Sequence, residues 1–189
     1  MSFRRRLALL FVATASLATA APGADDTSGP APATPPTPLF RIEGKSRDIV
    51  RESSDGPATV LTIDGGTGIG QATISRLADQ WPREIIVRAR LRGLESLVIS
   101  TPKLSLEISV LSHSGHPALL HLRQDNQPNP PPPLTKDSPF WTDVRCLDPT
   151  GKPVAERKPP PQGCFELRVP PAVLTNSATF DLKWIDFYR

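Results

Sequence analysis

The stretch Leu104-Ser105-Leu106-Glu107-Ile108-Ser109-Val110 decides the fold class. Every second residue is a large aliphatic, and Ser, Glu and Ser stand between them. A period of two belongs to a β-strand with one face buried and one in water. A helix would instead need apolar positions three and four apart. Working outward, the same alternation recurs at 84–92, where Ile85, Val87, Ala89 and Leu91 share one face and Arg88, Arg90 and Arg92 the other. Val60 and Thr62 oppose Leu61 and Ile63 in a run at 58–64, and a second run follows at 71–76. Further runs fall at 94–100, 117–123, 139–147, 163–169 and 178–188. Turn chemistry separates them: Ser114-Gly115, the Pro128–Pro133 run, and Asp148-Pro149-Thr150-Gly151. About nine short strands with such punctuation predict an all-β domain, an antiparallel β-sandwich of jelly-roll-like type. No internal repeat is present.

Composition agrees. The 189 residues give room for one domain with a substantial core. The 23 prolines, about 12% of the chain, stand against an ordinary usage of roughly 5% and argue against long helices. The formal net charge of +3 invites a nucleic-acid reading. Residues 1–21 hold Arg4, Arg5 and Arg6 and no acid, so the remainder carries 19 basic and 19 acidic side chains. A neutral remainder removes the global-charge argument for a polyanion partner.

The first residues read as an address. Met1–Arg6 is short and basic, Leu7–Leu17 is apolar, and Ala18-Thr19-Ala20 supplies the small residues a signal peptidase accepts. The apolar run is shorter than the roughly 20 residues that span a bilayer. The expectation is export, to the periplasm or the exterior, with a signal peptide at 1–20. Residues 21–38 form a Pro-, Ala- and Thr-rich linker with too little apolar surface to offset its ordering entropy. A single sandwich domain then occupies 39–189.

Ile63-Asp64-Gly65-Gly66-Thr67-Gly68-Ile69-Gly70 follows a strand and precedes Gln71–Trp81, where Ile74, Leu77, Ala78 and Trp81 fall at helical spacing. The cluster looks like the glycine-rich fingerprint of short-chain dehydrogenases, which cradles a dinucleotide pyrophosphate at a helix N-terminus. Four features oppose that reading. Asp64 puts a carboxylate where the ligand's own charge would sit. Thr73 stands where glycine or alanine belongs. The only tyrosine, Tyr188, cannot supply a Tyr-x-x-x-Lys pair. An exported chain of this length also lacks room for the remaining βα units. The expectation is a glycine-rich turn between the strands 58–64 and 71–76, with no dinucleotide and no cofactor.

Cys146 and Cys164 are the only cysteines. In an exported protein a lone pair reads as a disulfide rather than a metal or catalytic site, adding about 3 kcal/mol in the chain-entropy model. Simple alternation sets Cys146 with Val144 on the inner face and Cys164 with Glu166 and Arg168 on the outer face. A bulge or a strand end would be needed to bring them together. His113, His116 and His121 cluster around a turn, but no cysteine or evident carboxylate completes a metal set. No Gly-x-Ser-x-Gly elbow occurs, and a triad of Ser112, His113 and Asp143 can be assembled only on paper.

Two features suit a ligand. Arg88, Arg90 and Arg92 form a ladder with steps of roughly 7 Å, whose guanidinium forks match planar anions. The competing reading pairs them across strands with acids such as Glu95 and Glu107. Trp81, Trp141 and Trp184 can stack on sugar rings. Trp184 alternates inward with Phe180 and Leu182, while Trp141 shares a strand face with Asp143 and Arg145, which marks Trp141 as the exposed aromatic.

With these segments in place, the chain over roughly 57–189 resembles a family of exported proteins of planctomycete-type bacteria. The resemblance is carried by Gly68-Ile69-Gly70-Gln71-Ala72-Thr73-Ile74, Trp81-Pro82, Arg90-Leu91-Arg92-Gly93-Leu94-Glu95-Ser96, Leu111-Ser112-His113-Ser114-Gly115, Ser138-Pro139-Phe140-Trp141 and Trp184-Ile185-Asp186-Phe187-Tyr188-Arg189. It implies a small secreted β-domain and names no activity. A looser likeness, of architecture alone, is to the galactose-binding-like sandwiches of carbohydrate-binding modules. The expectation is therefore an exported, non-catalytic binding module for a polysaccharide or an envelope partner, using Arg88, Arg90, Arg92, Trp141 and Asp143. A structural docking domain is the alternative, favoured by an apolar end at Ile185 and Phe187, and an exported hydrolase comes third.

Overall fold

Alternation along each strand becomes two faces of a sheet once the strands pair. The computed structural model describes residues 37–65, 68–90, 94–109, 119–124, 133–154 and 164–186. Twelve strands among them form two six-stranded sheets. The first sheet runs, in spatial order, β1 (Phe40–Glu43), β4 (Gly68–Arg76), β12 (Thr179–Asp186), β6 (Leu94–Ser100), β7 (Leu104–Ser109) and β8 (Leu119–Gln124). Every neighbouring pair in it is antiparallel. The second runs β10 (Pro153–Val154), β9 (Val144–Leu147), β11 (Cys164–Arg168), β5 (Ile85–Arg90), β3 (Ala58–Asp64) and β2 (Val50–Asp55). Its pairs are antiparallel except β3 and β5, which are parallel. A 3-10 turn at Arg47–Ile49 and a short helix α1 (Pro171–Leu174) complete the described elements.

Strands occur in each of the nine expected runs, and β1, β2 and β10 are additional. The sequence hides them for a physical reason. β2 is an edge strand whose residues after Val50 are Arg, Glu, Ser, Ser and Asp, so neither face shows an apolar period. The run expected at 139–147 is strand only over Val144–Leu147, because residues 136–140 are spent on turns. The second sheet is mixed rather than wholly antiparallel. β4 lies in the other sheet and carries the chain back between β3 and β5, so these two point the same way. A parallel pair needs such a crossover, and here a nine-residue strand takes the place of the usual helix.

The glycine cluster serves this crossing. Gly65 (φ 86°) leaves β3 and Gly68 (φ 95°) enters β4, both in the left-handed region that glycine tolerates. Gln71–Arg76 is strand, as expected, within a β4 that begins already at Gly68.

One buried cluster draws on both sheets. Ile74, Leu97, Ile99, Leu106, Ile108, Phe180, Leu182 and Trp184 come from the first sheet. Leu61, Ile63, Val87, Ala89, Phe165 and Leu167 come from the second. Each such side chain contributes about 1.5–3 kcal/mol on full burial. At one end Trp81 packs between Phe40 and Phe180, with ring centroids 5.8 and 5.4 Å away.

The expected Cys146–Cys164 disulfide is corrected by the structure: no disulfide joins the two residues. β9 and β11 are neighbours, but Cys146 stands opposite Phe165 and Cys164 opposite Leu147. An offset of one residue between paired strands puts two side chains on opposite faces of the sheet. The alternation noted in the sequence is thus kept, with no bulge in that pairing to undo it.

Candidate functional site: a groove on the outer face of the second sheet

The register of the second sheet aligns Arg145, Glu166, Arg88, Thr62 and Arg51 in one row across β9, β11, β5, β3 and β2. Residues in register share a face, and these belong to the outer one. The segment leading into β9 rises over this row. Ser138 donates its N–H to the Thr135 carbonyl and Trp141 donates to the Ser138 carbonyl, each at 3.0 Å, so two tight turns follow each other. Leu134, Phe140 and Trp141 anchor the segment against the core. Thr142 is buried and donates its hydroxyl to the Arg168 carbonyl at 2.7 Å, which ties the segment to the end of β11. With Thr142 pointing down, Trp141 and Asp143 flank it on the other side.

The result is a groove of about 340 Å³ lined by Trp141, Asp143, Arg145, Glu84, Glu166 and Arg168, with parts of Ile86, Thr142 and Leu167 as floor. That volume sits at the lower end of the roughly 300–1,000 Å³ typical of ligand pockets. The Trp141 indole N–H donates to Asp143 Oδ1 at 3.3 Å, which orients both groups. Trp141 is half-buried, with part of its surface on the core and part on the groove. The fixed charges are arranged in opposed pairs. Arg168 bridges Glu84 across the groove. Glu166 accepts from Arg88 Nε at 2.6 Å, and Arg88 reaches Asp55 with its other arm at 2.6 Å. Burial alone would lower the Arg88 pKa; the hydrogen bonds from Glu166 and Asp55 outweigh it and hold the pKa above its ordinary value.

Of the residues expected from sequence, Trp141 and Asp143 stand together in the groove. Arg88 lies two residues along β5 from Ile86, outside the groove lining, and contacts the lining residue Glu166. Arg90 lies further along β5 and faces Asp64 at 3.7 Å. Arg92 is outside the described residues. The acids across from the ladder are therefore Asp55, Glu166 and Asp64, while Glu107 instead meets Arg123 at 3.3 Å in the first sheet. Glu84, Arg145, Glu166 and Arg168 were not expected as site residues. The outward parity of Glu166, Arg168 and Arg145 was visible in the alternation, whereas Glu84, just before β5, carries no local signal.

No family model, curated protein or solved structure matches this chain. Among the described residues no three His, Cys, Asp or Glu side chains converge on a metal position. His121 lies on β8 opposite Glu107, and His113 and His116 are outside the described residues. No helix of the described residues is long and apolar enough to cross a membrane.

Proposed function

We propose that this chain is an exported, non-catalytic module that binds a neutral polysaccharide through the Trp141 groove, on a β-sandwich of jelly-roll type. The observation that carries the reading is Trp141 beside Asp143 in a groove where Glu84 and Glu166 are each paired with an arginine. An indole face suits the C–H face of a sugar ring, and fixed carboxylates and guanidinium groups suit its hydroxyls. Glu84 and Glu166 are each held by an arginine, which fixes them as acceptors and leaves little net field to attract or repel an ion. For the jelly roll, the support is the winding: β3, β4, β5 and β6 alternate strictly between the two sheets. Export rests on the basic, apolar and small-residue succession over residues 1–20.

The test is affinity electrophoresis of the full chain through neutral and acidic polysaccharides, at low and high salt. The expected result is retardation by a neutral polymer that survives high salt and is lost in Trp141→Ala. Retention on acidic polymers alone, abolished by salt, would move the site to the arginines. No retardation on any polymer would overturn the polysaccharide reading in favour of protein docking. A specific feature favours that second reading: Ile69 is 77% exposed and stands in register with Ile185 on the outer face of the first sheet.

A further inference from the structure

We propose that a second cavity, separate from the Trp141 groove, binds an organic acid: a carboxylate carried on an apolar body. It lies where the β4–β5 connection meets the segment following β11 and has a volume of about 620 Å³. Trp81, Pro82 and Leu174 give it an apolar wall, and Arg76 and Arg83 a cationic one. The apolar wall is fixed before any ligand arrives. The Trp81 indole N–H donates to the Ser177 carbonyl at 2.7 Å, and its rings are wedged between Phe40 and Phe180. The adjoining rim is fixed too. Ser177 donates to the Leu174 carbonyl at 3.1 Å, and Asn176 takes φ 63°, a left-handed conformation that asparagine tolerates better than most residues.

The charge pattern differs from that of the Trp141 groove. No carboxylate is among the residues lining this cavity, and among the described residues neither Arg76 nor Arg83 takes part in an ion pair. Arg76 is half-buried at the end of β4, where its backbone is pinned by an N–H to the Ala178 carbonyl at 3.1 Å. Two guanidinium groups lining one cavity without a counter-ion repel each other, and an anion between them relieves that repulsion. Their planar forks fit a carboxylate in particular. Bulk phosphate or acetate would satisfy the arginines and leave the Trp81 wall in water, so the ligand class that uses the whole cavity is amphipathic. Nothing in this inference depends on the saccharide reading of the other groove.

The experiment is calorimetric titration of the full chain with 2-naphthoate, with methyl 2-naphthoate as the uncharged control and acetate as the control without an apolar body. The expected result is that 2-naphthoate binds and that the ester and acetate each bind about tenfold more weakly or worse. Arg83→Gln, at an exposed position, should weaken 2-naphthoate about tenfold without changing the thermal transition, and Arg76→Gln should do the same. If Arg76→Gln fails to fold, Arg83→Gln and the ester comparison still decide. Equal binding of acid and ester, equal binding of acetate, unchanged affinity in Arg83→Gln, or no binding of 2-naphthoate would each overturn the proposal.

Discussion

Trp184 of β12 lies across Gly70 of β4, its register partner, so closely that a Cβ on Gly70 would overlap the indole ring. The indole is 2% exposed and its rings have nowhere to withdraw. Gly70→Ala is expected to destabilise by about 3 kcal/mol, at the upper end of overpacking costs. Trp184→Ala alone should cost about 3–5 kcal/mol. The double variant should cost clearly less than the sum of the two, because the ring that clashes is gone. Urea unfolding of the four proteins checks this, and strict additivity would show that the two residues do not interact.

Arg88 holds two carboxylates at once, Glu166 and Asp55. Arg88→Met removes the partner of both acids and is expected to cost about 2 kcal/mol at pH 7. Glu166 is the less exposed of the two acids, with 14% of its side chain accessible against 57% for Asp55, so Glu166→Gln should cost more than Asp55→Asn. The deficit of Arg88→Met should exceed that of either acid variant, because it strands both carboxylates at once. Urea unfolding of the three variants beside the parent protein makes the comparison. No deficit in Arg88→Met would sink the ion-pair account.

Burial, followed by the charge of Cys164, pushes the Cys146 thiol up from 9.0 to about 11. Burial raises the Cys164 thiol as well. A folded-state pKa above the unfolded one stabilises fully below the unfolded value, and that stability is lost as pH rises through the folded value. Stability should therefore decline between pH 9 and 11, and Cys146→Ala should flatten the decline. Ellman's reagent should find both thiols in the unfolded protein without any reductant, and react slowly with the native one at pH 8. Finding no thiol in the unfolded, unreduced protein would restore the disulfide.

Asp148 organises the turn before β10 through one oxygen, Oδ1, which accepts from the Thr150 hydroxyl at 2.6 Å, the Thr150 N–H at 2.8 Å and the Lys152 N–H at 2.9 Å. The Thr150 hydroxyl, then the Lys152 N–H, hold its carboxyl below the ordinary value. The resulting stabilisation is present above about pH 4 and is lost as pH falls through the lower folded value. Thr150→Ala should move the Asp148 titration upward in a carboxyl-carbon NMR experiment. An unmoved titration would contradict the assignment of the shift to that hydroxyl.

Much of this was legible where one face of a strand is apolar and the other is not. Residues 94–100 and 104–109 read as strands because Leu97, Ile99, Leu106 and Ile108 repeat at every second position and nothing competes with them. β2 was illegible because an edge strand in water needs no apolar face. Within the groove, Trp141 and Asp143 could be joined by parity alone, since they are two residues apart. Glu84 and Arg168 could not, because their meeting depends on the register of β5 against β11, set by contacts nearly 80 residues apart in sequence. The cysteines are the opposite case: alternation alone already set Cys146 and Cys164 on different faces, and the pairing of β9 with β11 keeps them there.

Among the described residues β12 is the last strand in chain order, yet it sits between β4 and β6 in the interior of the first sheet. As the chain emerges residue by residue, β1 and β4 on one side and β6, β7 and β8 on the other have no common partner until residues 179–186 arrive. Two half-sheets with open edges must wait, exposed to any passing strand, for one late segment to slide between them. Losing those eight residues would therefore remove the seam that makes two fragments one sheet.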